Sequence, residues 1–213
     1  MGTHQKTYIR YNKVMKALII VDVQNDFLPG GTLAVPKGDE IIPVINAIQA
    51  EYGLVVATQD WHPVDHGSFA SNHPGTKPLE TIDLNGIPQV LWPNHCVQGT
   101  FGAMLSDQLE QKHIAAIFRK GMDSMVDSYS GFYDNARLHA IGLADYLRGK
   151  GVTEVSVCGL AADYCVFYTA WDALDLGFAA EILTFATRPI DPQGWEEVQQ
   201  AFVSLGGSLK VSI

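Results

Sequence analysis

Asp22, Asp60, Lys120 and Cys165 each stand just past, or within a few residues of, the end of a short apolar run. The runs are Ala17–Val21, Leu54–Thr58, Ile114–Phe118 and Val155–Cys158. If these runs are parallel strands, their carboxyl ends share one rim, which is where open α/β sheets bind ligands. A thiol beside a carboxylate and an ammonium can act as a nucleophile whose proton the carboxylate takes. Cys165 lies in Gly159-Leu-Ala-Ala-Asp-Tyr-Cys165, a strand-to-helix turn. There the free N–H groups and macrodipole of a first helical turn favour a thiolate. Each residue has a plainer reading too: a cysteine as a small buried apolar residue, an aspartate capping a loop, a lysine in solvent. Cys158, inside an apolar strand, fits a core, and Cys96 adjoins a candidate metal ligand.

Asp60-Trp-His62 sets a carboxylate and an imidazole two residues apart, on the same side of an extended chain. His95, in Trp92-Pro-Asn-His-Cys-Val97, could complete an Asp/His/His set with positions open to water or ligand. Such mixed oxygen and nitrogen ligation suits one divalent ion: zinc first, with manganese or iron as alternatives. His66 and His73 are near enough in sequence to substitute, and a His-rich loop can also be merely polar.

These residues need a scaffold, and the hydrophobic pattern supplies one. Ala17–Val21 reads as a parallel strand buried on both faces. A helix is expected from about Gly38 to Glu51, with Ile41, Ile42, Ile45 and Ile48 on one side. Leu54–Thr58 is the second strand. The stretch from Gln59 to about Gly99 is a long loop, and loops of that length inside a domain are usually functional. Helical spacing returns over Thr100–Gln111, followed by a strand at Ile114–Phe118 and a helix near Leu138–Gly149. Then come a strand at Val155–Cys158, a helix from about Asp163 to Leu176, a strand at Ala180–Leu183, a helix at Gly194–Leu205 and a strand at Leu209–Val211. Strands alternating with helices imply an α/β fold: a single-domain three-layer sandwich with a mostly parallel central sheet flanked by helices.

The chain has 213 residues, 47% of them hydrophobic and 17% charged, as expected of one globular domain rather than a disordered chain. A net charge of −9 disfavours nucleic acid and anionic membrane as partners. Three cysteines, an odd count, and no apolar leader read as reduced thiols in a cytoplasmic protein. Residues 1–14 read as an N-terminal extension, native or left from expression, ahead of a domain spanning 15–213.

Four segments together resemble one family. Asp22-Val-Gln-Asn-Asp-Phe27, Gln59-Asp-Trp-His-Pro63, Trp92-Pro-Asn-His-Cys-Val97 and Gly159-Leu-Ala-Ala-Asp-Tyr-Cys-Val166 are similar to the nicotinamidases of the isochorismatase-like hydrolase superfamily. The likeness runs from about Lys16 to the C-terminus, with the motifs in family order. It implies that Asp22, Lys120 and Cys165 form a catalytic triad and that Asp60, His62 and His95 bind the metal, with His66 a lesser candidate. It also implies a pyridine pocket lined by Phe27, Trp92 and Tyr129, and an oxyanion hole formed by the N–H groups of Ala161 and Cys165. A cis peptide is implied between Leu160 and Ala161. The segments Phe167–Trp171 and Thr187–Pro189 look unfamiliar in detail.

The implied reaction is hydrolysis of nicotinamide to nicotinate and ammonia through a cysteine thioester. Lys120 and the helix N-terminus would lower the thiol pKa, Asp22 would carry the proton, and the metal would orient the ring through its nitrogen. The implied partner is thus a small molecule, with a homo-oligomer left open. Rival readings are a metal-independent carbamoyl or ureido amidohydrolase, an isochorismate hydrolase, a metal-hydroxide hydrolase with Cys165 a bystander, and a non-catalytic metal- or pyridine-binding protein.

Overall fold

The computed structural model describes residues 15–213; the expected extension at residues 1–14 lies outside the described residues. Strands β1 (Met15–Val21), β2 (Leu54–Asp60), β5 (Ile114–Lys120), β6 (Val152–Leu160), β7 (Ala179–Arg188) and β8 (Ser208–Lys210) form one sheet in the order β5-β2-β1-β6-β7-β8. Every neighbouring pair in it is parallel, as the apolar runs predicted. Period-2 alternation divides β1 between two cores. Leu18 and Ile20 face a layer that holds helix α1 (Ile41–Ile48). Ala17, Ile19 and Val21 face α2 (Leu143–Gly149), α3 (Phe167–Asp175) and α4 (Pro192–Ser204). Burial on both faces is why β1 carries no polar residue between Ala17 and Val21.

Several expectations need correction. The span Gly38–Glu51 is helical, but only Ile41–Ile48 is α; single 3-10 turns flank it. No helix forms over Thr100–Gln111. Its backbone bonds outward instead: Asn25 N–H donates to Met104 O, Asp26 N–H to Gly102 O, and Ser106 N–H to Val23 O. Those tertiary bonds fasten the segment to the chain leaving β1, and its Ala103, Leu105 and Leu109 fill the α1-side core. The expected helix near Leu138–Gly149 begins only at Leu143, after Gly142 in left-handed conformation.

The long loop after β2 contains a surface hairpin, β3 (Thr81–Leu84) and β4 (Ile87–Val90). Asn85 and Gly86, both at positive φ, form its two-residue turn. The helix expected from Asp163 starts as a π-turn over Ala162–Val166 and becomes α at Phe167. The Leu160–Ala161 peptide is cis, as the resemblance implied. Among the described residues no helix is long and apolar enough to cross a membrane.

Candidate active site

The rim of the sheet gathers the residues singled out in the sequence. β1 ends at Val21 and the chain turns at Asp22, which has φ 48, while Asp60 and Lys120 are the last residues of β2 and β5, paired in register. Gly159, at φ 110, passes so close to β1 that an added Cβ would overlap the Val21 carbonyl oxygen. That approach brings the turn carrying Cys165 down beside Asp22.

Lys120 is buried, and its Nζ donates to Asp60 Oδ1 at 2.5 Å, Ser128 O at 2.9 Å and Cys165 Sγ at 3.4 Å. Three N–H groups are thereby used. Asp22 Oδ2 lies 2.9 Å from the same nitrogen as an ion pair but accepts no aligned hydrogen bond, whereas its Oδ1 accepts from Thr58 Oγ1 at 2.6 Å. One oxygen of Asp22 is therefore an open acceptor inside the cluster. Cys165 keeps the most exposure of the three, 7% against 0% for Asp22 and 1% for Lys120, so the open side of the cluster is at the cysteine.

Burial pushes Asp22 up to about 6, against the pull of the Lys120 ammonium. Burial also acts on Asp60, but there Lys120 and His62 outweigh it and hold the carboxyl below the usual carboxylate range. Lys120 loses stabilisation by burial and regains more from Asp22 and Asp60, so it stays an ammonium, well above its ordinary value. Burial drives the Cys165 thiol well above its usual value, and the opposing pull of Lys120 is countered by the two carboxylates. This corrects the expectation of a lowered thiol pKa: burial of the thiol outweighs the single ammonium beside it. Cys158 is buried, pushed up by burial, and placed 3.7 Å from Ile19 O, a core position as expected.

Asp60 links this cluster to a second one. Its Oδ2 faces His62 Nε2 at 3.7 Å and His95 Nε2 at 4.0 Å. The three residues offer ligand atoms within 4.8 Å of one another. His62 Nδ1 lies 2.8 Å from Gly121 O and His95 Nδ1 2.8 Å from Pro93 O. A carbonyl only accepts, so each Nδ1 carries a hydrogen and each Nε2 is the nitrogen left to face Asp60. Burial lowers His62, but the Asp60 carboxylate outweighs it and holds His62 above its ordinary value. One oxygen and two pinned nitrogens converging there could hold a divalent metal. Burial and His62 lower His95 to about 4, favouring its neutral, ligating form.

His66 is buried at a ring-centroid distance of 4.3 Å from His62, with its Nδ1 against Ser68 Oγ at 2.7 Å and its Nε2 unpartnered. It joins His62 and Asp127 in a separate group. The structure does not bring His73 into either group; its Nε2 pairs with Gly67 O at 2.7 Å.

Of the expected pocket residues, Phe27 lies 5.5 Å from the His95 ring. Trp92 Nε1 donates to the Tyr129 hydroxyl at 3.2 Å. Tyr164, beside Cys165 in sequence, completes this aromatic group at 4.9 Å from Trp92 and 5.5 Å from Tyr129. It was missed, although adjacency to the thiol was a signal. Thr58 was missed too. Lying two residues before Asp60 on one strand, it shares that residue's face.

The open parallel sheet gathers a buried Asp/Lys/Cys cluster at its carboxyl rim, and the chain belongs to the isochorismatase domain family, whose profile matches residues 16–207. Within it, the nicotinamidase of Escherichia coli strain K12 is 46% identical over 197 residues, covering 91% of this chain and 92% of its own. The structure of the yeast nicotinamidase bound to the inhibitor nicotinaldehyde matches at TM-score 0.88 and 36% identity, covering 93% of this chain and 100% of that one. The pyrazinamidase of Pyrococcus horikoshii in complex with zinc matches at TM-score 0.77 and 37% identity, covering 92% and 99%.

Proposed function

We propose that this chain hydrolyses nicotinamide to nicotinate and ammonia, with Cys165 as nucleophile and Asp22 as proton carrier. The observation that carries the reading is Asp60: one oxygen is bound by the lysine that touches the thiol, while the other faces two histidines pinned for ligation. A nucleophile and a cation site are thereby joined through one side chain. The relatives named nicotinamidase and pyrazinamidase give the substrate.

The open oxygen of Asp22 suits it to take the Cys165 proton as the sulfur attacks the carboxamide carbon. Burial keeps the resting thiol protonated, so the sulfur attacks only as Asp22 relieves it of that proton. The N–H groups of Ala161 and Cys165 are the proposed oxyanion donors. Asp22 then protonates the departing ammonia, leaving a thioester on Cys165. Next, Asp22 takes a proton from water, the hydroxide displaces the sulfur, and nicotinate leaves as the thiol regains its proton. Throughout, Lys120 remains an ammonium and balances whichever of Asp22 or the sulfur carries charge.

Phe27, Trp92 and Tyr129, with Tyr164, are the proposed walls for the pyridine ring. Asp60, His62 and His95 would hold the cation, which when bound supplies a Lewis-acidic anchor for the ring nitrogen, directly or through water. Zinc suits this donor set, with manganese and iron as alternatives.

Ammonia release by the metal-loaded protein tests the reading. Nicotinamide and pyrazinamide should turn over, and benzamide, without a ring nitrogen, should be poorer by at least tenfold in kcat/KM. Preference for a carbamoyl amide, undisturbed by metal removal, would favour the metal-independent branch instead.

A further inference from the structure

We propose that Gln24 is a positioning residue for the cation site, holding Asp60 by its backbone so that its two carboxylate oxygens divide between Lys120 and the histidine pair. The inference rests on the reading of Asp60, His62 and His95 as cation ligands.

β1 runs beside β2 only as far as Ile20 opposite Ala57, and then leaves at Asp22. β5 continues on the other side to Lys120 opposite Asp60. The end of β2 thus has a neighbour on one side only. In a parallel strand a residue's N–H and C=O face the same neighbour, and successive residues alternate. Trp61 N–H donates to Lys120 O at 2.9 Å, so the backbone groups of Asp60 face the vacated side. Buried there without partners, they would be costly.

The Gln24 side chain fills that role as a one-residue strand. Its Oε1 accepts from Asp60 N–H at 2.8 Å, and its Nε2 donates to Asp60 O at 2.8 Å. The second amide hydrogen goes to Ala103 O at 2.9 Å, and the residue is 0% exposed. Gln24 therefore reads only backbone. Its effect on the cation passes through the aim of the Asp60 carboxylate, whose geometry is demanding: Oδ1 against the Lys120 ammonium and Oδ2 facing two imidazole nitrogens.

The test is cation affinity and ligand-field geometry, measured on the full chain stripped of metal and reloaded. Zinc affinity is read by competition with a chromophoric chelator, and geometry by the visible absorption of the cobalt(II) form. Gln24→Met keeps the length and loses both bonds to Asp60 along with the one to Ala103; zinc binding should weaken about 10–100-fold and the cobalt bands should change. Gln24→Glu keeps the acceptor and loses the donor. Its added negative charge alone would tighten binding, so weaker binding with altered bands is the expected result and serves if Gln24→Met does not fold.

Gln49→Leu is the control. Gln49 is a buried glutamine bonded to Glu110 O at 2.9 Å, just before β2 begins and at the opposite end of that strand from Asp60. It should lower thermal stability and leave affinity and bands unchanged. A folded Gln24 variant with wild-type affinity and bands would overturn the proposal, as would a Gln49→Leu protein that shifts both as far as Gln24→Met. His62→Ala separates the two claims. If it binds zinc like wild type, the cation reading itself fails; if it loses zinc while the Gln24 variants do not, only the role of Gln24 falls.

Discussion

At the scale of single residues, the cluster is organised by charge count. Asp22 and Asp60 flank the Lys120 ammonium, and burial keeps the thiol beside them protonated and waiting on a base. Burial raises Asp22 to about 6. Below that pH the carboxyl already holds the proton it must accept, so the active form is lost as pH falls. In steady-state assays kcat/KM should therefore climb about tenfold per unit up to pH ~6 and level off above it. Bound metal is measured at each pH, because histidine protonation would release it. A rate flat down to pH ~5 with metal retained would remove Asp22 as the base. The residue types of this cluster were legible in the sequence because each one follows an apolar run. The sign of the thiol shift was not, because it depends first on how deeply the assembled fold buries Cys165 and then on the balance of Lys120 against Asp22 and Asp60. Gln24 escaped the sequence reading for a related reason: its function is to substitute for a missing strand, and which strand stops first is a property of the assembled sheet.

Secondary elements position these groups through close backbone approaches. Gly121 follows β5 at φ 63; a Cβ there would overlap the His62 ring that its own carbonyl orients. Gly121→Ala should thus push His62 out of line and weaken cation binding at least tenfold, while the unfolding midpoint shifts only modestly because the β2–β5 pairing remains. Chelator competition together with denaturant unfolding checks both halves; unchanged affinity would show that His62 tolerates the displacement. The strands of the main sheet were readable because a two-sided core demands unbroken apolar runs such as Ala17–Val21; their order across the sheet was not. Thr100–Gln111 misled because helical spacing also suits a segment that drops Ala103, Leu105 and Leu109 onto a core while its carbonyls bond elsewhere. The hairpin β3–β4 carried an Asn85-Gly86 turn signal, but its alternation is weak because no residue of β3 is buried.

For the molecule as a whole, two buried clusters share one aspartate, and the histidines of the second stand in the long segment between β2 and β5. A cation that binds only the folded form adds stability in proportion to its free concentration. Chelation should therefore lower the melting temperature by several degrees and suppress turnover, with both restored on adding zinc. Differential scanning calorimetry beside the ammonia assay checks this, and a metal-free protein of equal melting temperature and full activity would place the cation outside the function. Whether Cys165 is the nucleophile is read from the rate of ammonia release from nicotinamide by metal-loaded wild type and Cys165→Ala at matched metal content. The variant should fold, bind its metal and release no ammonia above background; a variant rate comparable to wild type would take Cys165 out of the reaction.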